Sequence, residues 1–189
     1  MDELIDALRA GRPALFPTDT VYGLVSLPTE EAVARLYALK GRPARQPTAL
    51  LAGSVDQLLE AVPELDPRRL LTGPYTLVLP NPARRFPWLA GERGDTIGVR
   101  IPDLTVEARA VLDAVGCVAA TSANEPGGSD PLSLDDVPRR FRDACPALDE
   151  GPLGGVPSTV VDLTGPRPRI IREGAVSADE TVARLQYDP

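Results

Sequence analysis

The 189-residue chain has no histidine, and its 20 basic residues are 19 arginines and a single lysine, Lys40. The missing histidine excludes Ser–His–Asp and Cys–His catalysis as well as His-ligated zinc. Any chemistry must therefore run on carboxylates, hydroxyls, cations and the backbone. Cysteine is scarce too: Cys117 and Cys145 stand alone, with no C-x-x-C pair, and read as two buried free thiols in a reducing compartment. No apolar run approaches the roughly 20 residues of a membrane span. Asp2, Glu3 and Asp6 occupy the N-terminus where a secretory signal would be basic, so a cytoplasmic protein is expected, with no membrane partner. Twenty basic residues against 27 acidic ones give a net charge of −7, the wrong sign for coating nucleic acid through the overall field. Walker A and G-x-G-x-x-G loops, internal repeats and low-complexity segments are all lacking.

What is present is an ordinary globular mixture, 43% hydrophobic and 25% charged. Its period switches between helical and strand-like along the whole chain. Leu4, Ile5 and Leu8 predict a first helix closed by Gly11. Thr29 predicts the N-cap of a helix with Val33, Leu36 and Tyr37 inward and Gly41 as its stop. Ser54 and Gln57 have capping-box spacing before Leu58, Leu59 and Val62. A helix over 104–115 closes at Gly116, and Ser177 with Glu180 opens a last one carrying Val182 and Leu185. Strands are predicted over 14–16, 48–52, 76–79, 96–101, 117–121, 159–163 and 169–172. This alternation argues one α/β domain over 1–189, a sheet with helices packed on it.

Between these elements lie PTDTVYGL (17–24, read as a polar loop), KGRP (40–43), TIGVRIP (96–102), TSAN (121–124), PSTVVD (157–162) and REG (172–174). They put hydroxyls and cations at strand termini, where α/β folds bind ligands. Lys40, Arg42, Arg100 and Arg172 together suit an anion such as a polyphosphate, arginine by bidentate contacts and lysine as a compact point charge. Arg100 lies between Val99 and Ile101 in an otherwise apolar strand, so it faces water or a polar pocket. A chain this rich in arginine that keeps one lysine points to a site wanting an ammonium, at a helix end outside the core. From the residues alone, the reading stops at an anion pocket in an α/β domain.

Taken in order, PTDTVYGL, KGRP, GPYTLVLP (73–80), TIGVRIPD, TSANEPGG, GGVPSTVVDLT (154–164) and IIREGAVS (170–177) resemble the YrdC-domain family. These are the threonylcarbamoyl-AMP synthases that begin N6-threonylcarbamoyladenosine modification of tRNA. The resemblance implies a twisted open α/β sheet around a large basic cavity. It implies condensation of L-threonine, bicarbonate or CO2, and ATP into threonylcarbamoyl-AMP and pyrophosphate. Mg2+ would arrive with the ATP, without a protein-ligated metal. The product would pass to a tRNA threonylcarbamoyl-transfer machinery, with any tRNA contact indirect.

By the family's pattern, Lys40, Arg42, Thr96, Ser122, Asn124 and Arg172 fall on the nucleotide side. Thr20, Tyr22, Arg100 and Ser158 fall on the threonine side, Arg100 as partner of the carboxylate. No residue is assigned a catalytic role beyond positioning substrates, in which Lys40 and Arg42 lead. Three positions depart from the pattern: Leu51 stands where some members carry histidine, Asp130 where others carry serine, and Gln46 where others carry asparagine. The segment after REGAVS is short, as in the single-domain branch. Two other readings of the same fold are a paralogue with another substrate and an RNA-binding, ribosome-associated factor without this activity. Steep salt dependence of RNA binding would mark the second.

Overall fold

The computed structural model describes residues 1–186. α1 (Asp2–Arg9) buries Leu4, Ala7 and Leu8 on one face. β1 (Ala14–Pro17) and β2 (Tyr22–Ser26) form an antiparallel hairpin. The segment 17–24, expected as one loop, is therefore a turn over 18–21 between two strands. Every residue of β2 is buried, so it shows no apolar–polar alternation to betray it. The Thr29 hydroxyl accepts from Ala32 N at 3.3 Å at the start of α2 (Glu30–Lys40). Gly41 ends that helix in the left-handed region at φ 68°, a conformation that favours glycine. β3 (Ala49–Leu51) is followed by α3 (Val55–Ala61), capped by the Ser54 hydroxyl. Gln57 turns its amide oxygen to Gly53 N at 2.7 Å, one residue before the box its spacing predicted.

β4 (Tyr75–Pro80), β5 (Thr96–Arg100), α4 (Val106–Val115) and β6 (Val118–Ser122) come next. α5 (Arg139–Ala144) has only Phe141 buried and gave no apolar period to read. β7 (Thr159–Asp162), β8 (Arg169–Arg172) and α6 (Ala178–Gln186) complete the described chain. Among these residues, no helix is long and apolar enough to cross a membrane.

The eight strands form one open mixed sheet in the order β1-β2-β6-β3-β5-β4-β7-β8. β3 with β5 and β4 with β7 are parallel, and the other neighbours are antiparallel. Alternation along each strand sends side chains to two faces. Leu15, Leu24, Leu50 and Ala119 join one core with Val33, Leu36 and Leu58. Their neighbours Phe16, Val25, Leu51 and Val118 join a second with Leu4, Leu8, Val111 and Leu112, under α1 and α4. That second face carries small or polar side chains further along: Gly23, Ala49, Gly98 and Ala120, then Thr76, Thr96 and Arg100. These residues floor a cavity.

Candidate functional site

The cavity measures about 560 Å³, within the usual range for a small-molecule site. Its floor is low because Gly23, Ala49, Gly98 and Ala120 project little from the sheet. Its polar corners come from strand ends and the loops that follow them.

The first corner centres on Arg100, the last residue of β5. Parity sends Val99 into the core and Arg100 to the cavity face, where the side chain is 11% exposed. The turn over 18–21 reaches past β6 and β3 to meet it. Arg100 Nη2 donates to Thr20 Oγ1 at 2.7 Å and Thr18 Oγ1 at 3.4 Å, and forms a close ion pair with Asp19 Oδ1. The other Asp19 oxygen accepts from Asp103 N at 3.2 Å. Thr18 is itself fixed, accepting from Thr20 N and Val21 N and donating to Val21 O. Burial lowers the Arg100 pKa against the opposing pull of Asp19. Arg100 Nε is buried without a hydrogen-bond partner.

A second corner joins β4, β7 and β8. The hydroxyls of Ser158 and Thr76 lie 2.8 Å apart. Arg172 Nη2 donates to Ser158 O at 2.8 Å, with Ser158 Oγ at 3.4 Å. This packing depends on Gly174, where an added Cβ would overlap the Pro157 carbonyl oxygen and Ser158 backbone.

The third corner follows α2 and β6. Arg42 Nη2 donates to Pro47 O at 2.5 Å and Nη1 to Thr121 Oγ1 at 3.4 Å. Its Nε is buried and unpartnered, and burial lowers its pKa. Arg42 and Ser122 also line an adjoining recess of about 250 Å³, which contains Lys40, Gln46 and Asn124. Lys40 ends its helix as expected, but it is only 3% exposed and not outside the core. Its ammonium donates to Ser122 O at 2.8 Å, Asn124 Oδ1 at 2.5 Å, and Asn124 O.

Of the ten residues singled out in the sequence, Thr20, Arg42, Thr96, Arg100, Ser122, Ser158 and Arg172 line the cavity. Lys40 and Asn124 line the recess. Tyr22 lines neither. Its hydroxyl donates to Gly151 O at 2.9 Å and accepts from Glu150 N at 3.0 Å, so it anchors the loop around 149–151. The Thr96 hydroxyl donates to Arg93 O at 2.9 Å. Leu51 and Asp130, two of the departures, also line the cavity. Sequence reasoning missed Asp19, Arg45, Thr76 and Arg93. Thr76 was legible in principle from the inward–outward alternation of β4, whereas Arg45 and Arg93 come from loops without a period.

Cys117 and Cys145 are buried free thiols, each raised to about 11 by burial. Among the described residues, no three His, Cys, Asp or Glu side chains converge to hold a metal.

A family profile described as "Telomere recombination" (Sua5/YciO/YrdC) matches residues 6–174. A threonylcarbamoyl-AMP synthase of Pyrococcus abyssi is 34% identical over 182 residues, 92% of this chain and 53% of that protein. The chain thus spans about half the length of that relative. The threonylcarbamoyl-AMP synthase of Halorhodospira halophila is 36% identical over 90% of this chain and 88% of its own. Among solved structures, P. abyssi Sua5 complexed with L-threonine superposes with a TM-score of 0.85 at 33% identity, over 95% of this chain and 55% of that one. Escherichia coli YciO gives a TM-score of 0.73 at 25% identity, over 90% and 87% of the two chains. With the profile spanning all eight strands and such relatives matching it, the chain belongs to the Sua5/YciO/YrdC family.

Proposed function

We propose that this protein is a threonylcarbamoyl-AMP synthase, acting by nucleotidyl transfer. The observation that carries the reading is the gathering of two unlike groups in one cavity. Thr20, Arg100 and Ser158 offer hydroxyls and a guanidinium suited to a hydroxy-amino acid, while Arg42 and Ser122 open onto a recess suited to a nucleotide. The related P. abyssi protein, whose structure holds L-threonine, supports the same assignment.

In this reading the neutral amine of L-threonine bonds to CO2 and gives up one N–H proton to water, leaving a carbamate. A carbamate oxygen then attacks the α-phosphate of ATP, and pyrophosphate leaves with the electrons of the broken P–O bond. The protein's part is to align two substrates and neutralise phosphate charge, which requires no histidine. Magnesium is proposed to enter on the nucleotide, held by phosphates and water. Glu92 and Asp130 are the acidic side chains among the cavity's described lining, fewer than a protein cage would use. The product would then serve a tRNA-modifying transferase in the cytoplasm.

A pyrophosphate-release assay tests the proposal. Release should require both L-threonine and bicarbonate, and should fall at least about a hundredfold when valine replaces threonine, because the Thr20 and Ser158 hydroxyls would lose their partner. Equal release with valine would overturn the assignment of threonine.

A further inference from the structure

We propose that Lys40 is a positioning residue that holds the turn 122–124 in shape for the nucleotide and does not itself bind phosphate. This rests on the functional reading above for the word nucleotide, but its geometry stands apart from it. A lysine ammonium has three N–H donors and no acceptor. All three are engaged by protein: Ser122 O at 2.8 Å, Asn124 Oδ1 at 2.5 Å, and Asn124 O. The residue is 3% exposed. A phosphate reaching Nζ would have to displace one of these oxygens and leave it without its donor.

The turn is wrapped around this one point. Ser122 Oγ donates to the same Asn124 Oδ1 at 2.8 Å, and Asn124 Nδ2 donates onward to Gly128 O at 2.6 Å. Three oxygens converging on a single atom match a compact ammonium and not a planar guanidinium, whose donors diverge. This accounts for the one lysine in a chain that otherwise uses arginine. Arg140 fastens the same loop from α5, pairing with Glu125 through two bonds of 2.5 Å and donating to the carbonyls of Leu39 and Lys40. The end of α2 and the loop after β6 are thus tied together by two cations. Arg42, with a buried unpartnered Nε, lines the same recess and is a cation there that can face phosphate. Burial first, and Arg42 second, lowers the Lys40 pKa to about 8, so the ammonium is still largely charged at neutral pH.

Because Lys40 is the only lysine, 15N-lysine labelling gives a single side-chain signal in the wild-type protein. Its ammonium protons should exchange with water at least about tenfold more slowly than those of free lysine, before any nucleotide is added. ATP or inorganic pyrophosphate should leave that protection unchanged. Exchange at the free-lysine rate that slows only with ATP would overturn the proposal. In a second arm, Lys40→Met should speed amide exchange over 123–128 at least about tenfold while α2 and β3 stay as in wild type. Its loss of affinity should be the same for AMP and ATP, and Lys40→Arg should rescue neither property. Unchanged loop exchange with a loss that grows from AMP to ATP would make Lys40 a phosphate ligand. The wild-type measurement decides even if Lys40→Met does not fold. Since it uses the free protein, a failed pyrophosphate assay would remove the functional reading without touching this one.

Discussion

Arg100 shows how far single residues could be read. An arginine inside TIGVR has one choice of face, and strand parity puts it with Thr96 and Gly98 on the cavity floor, opposite Ile97 and Val99. Its partner Asp19 was not legible, because 81 residues separate them and only the sheet order brings the 18–21 turn across. Lys40 was legible as unusual but not as buried, since a lysine closing a helix ordinarily sits in water. The Arg100–Asp19 pair also shapes the expected behaviour of variants. Arg100→Ala should raise the KM for L-threonine about ten- to a hundredfold through loss of a charge-assisted bond, with the KM for ATP nearly unchanged. It would also strand Asp19, a carboxylate only 10% exposed, and lower the melting temperature. The double variant Asp19→Asn/Arg100→Met removes both charges, so it should melt closer to wild type while keeping the raised threonine KM. Steady-state kinetics beside melting curves check this, and a normal threonine KM in both variants would return Arg100 to a structural role.

At the level of elements, caps and apolar periods located most helices and strands, because Thr29, Ser54, Gly41 and Gly116 act within a few residues of themselves. β2 and α5 escaped for opposite physical reasons, one buried on every side and the other nearly bare of apolar contact. The REG segment combines local and distant demands. β8 pairs antiparallel with β7, and the chain beyond it presses Gly174 onto the backbone of residues 157 and 158. Gly174→Ala should therefore push Arg172 away from Ser158, cost about 1–3 kcal/mol of stability as overpacking does, and raise the ATP requirement. Gly165→Ala is the matched control, since the nearest atom to its added Cβ is Arg167 O at 3.8 Å. Melting curves that fall equally for the two variants would contradict this account of the β7–β8 corner.

For the whole molecule, composition set firm exclusions: without histidine, whatever this sheet does must run on carboxylates, hydroxyls, cations and the backbone. What no local pattern could show was which part of the sheet stays uncovered. That depends on α1 and α4 packing over Phe16, Val25, Leu51 and Val118 and stopping short of Gly23, Ala49, Gly98 and Ala120. The strand order then delivers hydroxyls and arginines from several loops and strand ends to one concavity. The central claim is that this concavity joins three substrates. Its most direct measurement uses [13C]bicarbonate, L-threonine and ATP, with the nucleotide product identified by mass spectrometry and 13C NMR. The account predicts an adenylate whose labelled carbonyl is bonded to the threonine nitrogen and to a phosphate oxygen, formed with pyrophosphate in equal amount. An unlabelled threonyl-adenylate, or AMP and pyrophosphate formed without threonine, would contradict it.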